Sequence, residues 1–171
     1  KGIRLILMRE PEMNEGQRAQ LFRRIQPFVK NKGGELLFHG MPRVARLVEA
    51  DGIHLNSIEL MRLASRPDFR ICAASVHDAK QIEQAVRMNL DFIVLSPVMK
   101  TKSHPDKAPL GWPAFSRLIR DCPIPVFAMG GLQQVQLNEA MKSGAHGIAM
   151  QRAVWPLSHV CRNKNDSGEL E

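Results

Sequence analysis

A parallel α/β fold is predicted for this chain of 171 residues, and three observations carry the prediction. Short apolar runs recur along its length, each too continuous for a half-exposed antiparallel strand. Segments with helical spacing alternate with them. Gly, Asn and Ser punctuate the helix ends.

The apolar runs are Ile3–Leu7, Glu35–Phe38, Gly52–Leu55, Arg70–Ser75, Asp91–Ser96, Pro125–Met129 and Gly147–Met150. The first helix is predicted over Gln17–Lys30, stopped by Asn31 to Gly34, and a brief one fits Val44–Val48. Asp78 is expected to cap a helix that starts at Ala79, runs to Met88 and ends at Asn89, since its short carboxylate can accept from a free N–H of the first turn. Helices over Trp112–Arg120 and Leu132–Lys142 follow, the second stopped by Ser143-Gly144.

A doubly wound sheet and a (β/α)8 TIM barrel both meet this pattern. The tight Gly-Ala strand entry of Gly144-Ala145-His146-Gly147-Ile148-Ala149 favours the barrel. Seven strands do not close an eight-stranded barrel, and Lys1-Gly2 has the look of the last turn and Gly cap of a helix. The expectation is therefore a barrel lacking its first βα unit, over residues 1–160, with 161–171 a disordered tail whose Leu170-Glu171 is tag-derived.

Hydrophobic residues make up 44% and charged residues 24%, values for an ordinary globular domain with a packed core. No run of 18 apolar residues and no signal peptide is present, so a cytoplasmic location without membrane attachment is expected. Cys72, Cys122 and Cys161 form no CxxC pair, which speaks for reduced structural thiols rather than a disulfide framework or zinc knuckle. The net charge of +7 calls for an anionic partner. Nucleic acid ranks behind a phosphorylated small molecule, because the chain has no Tyr and only 5% aromatic residues on which bases might stack.

The stretch LSPVMKTKSHPDKAPLG, residues 95–111, runs from a strand into a loop crowded with Thr101, Lys102, Ser103, His104 and Lys107. In a barrel, chemistry gathers at the C-terminal ends of strands. Those ends carry Arg9, His39-Gly40, His54 to Glu59, Ser75 and His77, Gly130-Gly131, and Gln151-Arg152. Convergent cations, hydroxyls and exposed backbone N–H groups are what phosphate oxygens require. Gly130-Gly131 is the sharpest element, since side chains there would keep a ligand from backbone donors and from the helix expected near Leu132. His54, inside a strand, reads as a hydrogen-bonded core histidine. The set His39, His54, His77 and His104 lacks the helical i, i+4 spacing of a zinc motif. The nine Met residues are expected to fill the core.

With these residues in place, the chain resembles the thiamine phosphate synthase and TenI family of (β/α)8 barrels, from Gly2 to about Trp155. The resemblance is carried by LMRE (7–10), ADGIHLNSIEL (50–60), AASVHDAKQIEQA (73–85), LSPVMKTKSHPDKAPLGW (95–112), PVFAMGGL (125–132) and SGAHGIAMQRA (143–153). The pattern in the 95–112 stretch is most similar to bacterial synthase-like domains that follow a Nudix hydrolase domain, which implies a covalently linked N-terminal Nudix partner.

Family synthases join a pyrimidine diphosphate to a thiazole phosphate with Mg2+ and release pyrophosphate. The resemblance then implies that Arg9, Thr101 and Ser103 grip pyrophosphate, with Lys102 or His104 adding charge. Ser75 would lie beside the leaving oxygen, Gly130, Gly131, Gln151 and Arg152 around the thiazole phosphate, and His39 and His77 in the ligand pocket. Glu59 falls where one Mg2+ carboxylate is expected. The sequence departs from the family at His39-Gly40, where an Asn-Asp pair with the second metal carboxylate stands, and at Leu7, Asn56-Ser57 and His104. A TenI-type tautomerase His falls on Pro97. Two readings stay open: a divergent synthase-like transferase with an eroded Mg2+ site, and a non-catalytic binding module for a thiamine-phosphate-type ligand that serves the Nudix domain.

Overall fold

The computed structural model describes residues 3–101 and 108–151. Its strands are β1 (Leu5–Met8), β2 (Glu35–His39), β3 (Gly52–Leu55), β4 (Ile71–Val76), β5 (Phe92–Leu95), β6 (Val126–Met129) and β7 (Gly147–Ala149). The helices are α1 (Glu15–Asn31), α2 (Pro42–Leu47), α3 (Ser57–Arg62), α4 (Ala79–Arg87), α5 (Gly111–Ile119) and α6 (Leu137–Lys142). All seven strands pair in parallel in the order in which they occur, β1 to β7. That order is the barrel's; a doubly wound sheet reverses direction at a switch point.

Register explains the two faces. Leu36, Phe38, Ile53, Leu55, Cys72, Ala74, Val76, Ile93, Leu95, Val126 and Ala128 alternate on the outer face and are all buried under the helices. Phe22 of α1 meets Phe38 edge-on at 5.6 Å between ring centroids, and burying one such ring is worth about 1.5–3 kcal/mol. The inner face carries Leu37, His39, His54, Ala73, Ser75, Val94, Phe127 and Ala149, in rungs set by pairs such as His39 with His54 and Ser75 with Val94.

Local chemistry places the helices largely as expected. Asp78 accepts from Gln81 N at 2.8 Å and caps α4; Gly33 at φ +67° ends α1. Asn14 and Gln17 form a capping box that starts α1 two residues before the expected Gln17. Three corrections stand out. The helix expected from Leu132 instead begins as a 3-10 turn, Gln134–Gln136, before α6. Helix α3 was not expected; Asn56 makes it by accepting from Glu59 N at 2.8 Å. Met61 and Met141 are exposed rather than in the core, whereas Met8 and Met88 are buried.

Candidate functional site

Because every strand is parallel, all seven C-terminal ends lie on one rim. Arg9 follows β1 and is exposed; His39 ends β2; Glu59 sits in the first turn of α3; Ser75 is in β4 and His77 just after it. Thr101 follows β5, Gly130 and Gly131 follow β6, and Gln151 lies two residues past β7. Lys102, Ser103, His104 and Arg152 lie outside the described residues, as does the tail 161–171.

On the rim His39 meets His54, their Nδ1 atoms 3.2 Å apart. His54 is 2% exposed, and its Nε2 is buried without a partner. Burial, reinforced by the cations Arg9 and Arg18, lowers His39 to about 4. Burial, then the neighbouring His39, lowers His54 to about 3. Both rings are therefore neutral near pH 7, one donating through Nδ1 and the other accepting. The expected core histidine is buried and hydrogen-bonded through Nδ1, yet its Nε2 is left without a partner.

His77 donates from Nδ1 to the Ser96 carbonyl at 2.8 Å. That bond ties the end of β4 to the end of β5.

Gly130 and Gly131 have a packing reason that sequence reasoning did not foresee. A Cβ on Gly130 would lie 2.8 Å from Pro97 Cα, and one on Gly131 would run into the Lys100 carbonyl and lie 2.9 Å from Met99 Cβ. The backbone beyond β5 continues onto β6, with Val98 N donating to Met129 O at 2.9 Å and Met99 N to Gly130 O at 3.0 Å. The glycines thus let the loop that carries Thr101 lie flat on the end of β6.

Arg18 was not anticipated. It lies in the first turns of α1, and its guanidinium approaches Gly40: a Cβ there would be 3.7 Å from Arg18 Nη1. Nothing in the sequence separates it from Arg23 or Arg24, which point elsewhere; only helix phase relative to β2 does.

Residues 1–154 match the family described as thiamine monophosphate synthase. The chain belongs to that family. It is 32% identical over 152 residues to a putative thiamine-phosphate synthase of Aquifex aeolicus, covering 87% of this chain and 81% of that protein. Against the thiamine-phosphate synthase of Thermosynechococcus vestitus it is 26% identical, covering 90% of this chain but 44% of the relative. The thiamine phosphate pyrophosphorylase of Pyrococcus furiosus superposes with a TM-score of 0.71 at 22% identity, covering 87% of this chain and 73% of that one. That likeness shows the fold: seven parallel strands and surrounding helices of a TIM-barrel type. Among the described residues no helix is long and apolar enough to cross a membrane.

The donors for Mg2+ do not fit well. Glu59, where the resemblance puts one metal carboxylate, is paired with Arg62 at 3.3 Å, Gly40 stands where the resemblance puts the other, and no group of three His, Cys, Asp or Glu among the described residues is arranged to hold a metal ion. Mg2+ wants several oxygen ligands in a near-octahedral frame.

Proposed function

We propose that this chain binds the phosphorylated pyrimidine and thiazole precursors of thiamine at its strand-end rim and joins them as a synthase-like transferase. The observation that carries the reading is the convergence of Arg9, Ser75 and the loop around Thr101 on the rim of a barrel of this family. In the reaction the C–O bond between the pyrimidine methylene and the diphosphate breaks, its electron pair leaving with diphosphate. The thiazole nitrogen lone pair then forms the new C–N bond. No proton needs to move in either step, so the protein's work is to bind anions and stabilise the departing one.

Arg9 supplies charge to the diphosphate and Ser75 a hydrogen bond beside the leaving oxygen, with Thr101 and Ser103 as further donors and Lys102 or His104 adding charge. Backbone groups at Gly130 and Gly131, with Gln151 and Arg152, surround the thiazole phosphate. His39 and His77 line the pocket. The inner-face pair His39 and His54, with Arg9 just past the end of β1 and Ser75 two residues beyond Ala73, the register partner of His54, supports this arrangement.

The second reading, a binding module for a thiamine-phosphate-type ligand serving an attached Nudix hydrolase, is favoured by one observation: Glu59 is engaged by Arg62, and Gly40 stands where the resemblance puts a second metal acid.

Incubating the protein with both substrates and Mg2+ and following pyrophosphate and thiamine phosphate decides between them. Coupled formation of both products supports the transferase. No product, with a melting temperature that rises on adding thiamine phosphate, supports the module, because a ligand at a hundredfold excess over Kd stabilises by about 2.7 kcal/mol. Arg152→Ala should abolish phosphate-ligand binding in either case; unchanged binding would mean the phosphate site lies elsewhere.

A further inference from the structure

The corner of the rim between β1, α1 and the ends of β2 and β3 is cationic. Neither Arg9 nor Arg18 belongs to any of the ion pairs among the described residues. Gly40 stands at φ +131°, and the space where its side chain would be is bordered by Arg18 Nη1. Arg18 Nε is buried without a hydrogen-bond partner. So is Nε2 of His54, a residue 98% buried by its 2% exposure and placed on the inner face by its pairing with His39. Both arginines act on His39, and Arg9 also acts on His54, which brings the four groups into one neighbourhood.

Buried donors left unpaired in a folded protein call for an acceptor from outside. Two guanidinium groups with no carboxylate between them call for an anion, and their planar forks match phosphate oxygens. A divalent cation at this corner would instead sit beside two positive groups, while the one family carboxylate, Glu59, is held by Arg62.

We propose that Arg18, together with Arg9, clamps a diphosphate directly and without a divalent metal ion, with His54 Nε2 as the hydrogen-bonding floor of the site. This rests on the reading that the rim takes a diphosphate. Arg18 then does with a fixed organic cation what the Gly40 position does not do with a carboxylate-bound metal: it offsets the charge of the anion. His39 orients the floor, since donation from its Nδ1 to His54 Nδ1 leaves an Nε2–H pointing at the anion.

Calorimetric titration of the purified protein with inorganic pyrophosphate, once in EDTA and once in Mg2+, tests the clamp. The variants are Arg18→Ala, Arg18→Gln and Arg18→Lys, with Arg117→Ala, an exposed change of equal charge on α5, as control. Expected are binding in EDTA, a loss of tenfold or more in Arg18→Ala and Arg18→Gln, partial recovery in Arg18→Lys, and no change in Arg117→Ala. Binding that appears only with Mg2+ overturns the clamp, as does undiminished affinity in whichever of the Ala and Gln variants melts like the wild type. Equal losses in Arg117→Ala also overturn it, by reducing the effect to net charge. The turnover assay separates the two readings: products formed with no binding in EDTA sink the clamp alone, and Arg18-dependent binding without products leaves the clamp and removes the synthase activity.

Discussion

His39 and His54 face each other Nδ1 to Nδ1 at 3.2 Å across the β2–β3 rung in which they are register partners. The contact requires at least one neutral ring, because two imidazoliums present only donors to each other. Burial first, then Arg9 and Arg18 at His39 and the partner ring at His54, hold the pair at about 4 and about 3.

That relationship predicts an acid-labile fold. In the unfolded chain a histidine titrates near 6.5, above both folded values, so between pH 6.5 and 4 the unfolded state binds more protons. Stability is then full above pH 6.5 and is lost as pH falls from there through the folded values, by at least about 3 kcal/mol. Urea melts from pH 8 to pH 4 check this, and His54→Gln should flatten the profile over that window. A wild-type profile that is already flat there would mean the rings are not held neutral.

Gly131→Ala should destabilise by at least about 2 kcal/mol, since it combines a left-handed backbone with a clash against backbone atoms of the loop. Gly33→Ala is the comparison: its φ is also +67°, but an added Cβ would meet nothing within 4 Å, so the cost is confined to about 1 kcal/mol of backbone strain. Equal denaturation midpoints for the two variants would argue against the packing of Lys100 on Gly131.

Gln84, 4% exposed in α4, donates to the carbonyls of Leu60 at 3.2 Å and Leu63 at 2.9 Å. It thereby closes the C-terminal end of α3, whose last carbonyls have no partner within the helix. Gln84→Leu strands both and should cost about 1–3 kcal/mol. Hydrogen exchange in α3 should rise with it; unchanged exchange would mean that α3 is held by Leu60 packing alone.

Cys72 is fully buried and donates to the Pro67 carbonyl at 3.2 Å. Burial is the main cause that raises its thiol above the usual range, and it raises Cys122 as well. In a Cys161→Ser background the folded protein should therefore react slowly with an aromatic disulfide reagent at pH 7.5, and fast only in denaturant. Rapid reaction of Cys72 in the native state would show that the β3–β4 region opens readily.

The strand series, the alternation with helices and the Asp78 cap were all legible in sequence, because they depend on local patterns: continuous apolar runs, helical spacing and single capping groups. Helix α3 is not legible in the sequence because its six residues are too few to show a period, and its cap is a single residue, Asn56. The helix expected from Leu132 started late because Gly130 and Gly131 at positive φ and the extended Gln133 delay it.

The candidate rim divides along the same line. Arg9, Ser75, His77 and Gly130-Gly131 could be named from the chain because each follows or ends a strand, and parallel strands bring such positions to one side whatever their separation in sequence. The partnership of His39 with His54, the approach of Arg18 to Gly40 and the seating of residues 97–100 on the two glycines came from folding. They depend on strand register and on the rotation of α1 about its axis, quantities that arise when the inner and outer faces pack and that no local pattern of residues encodes.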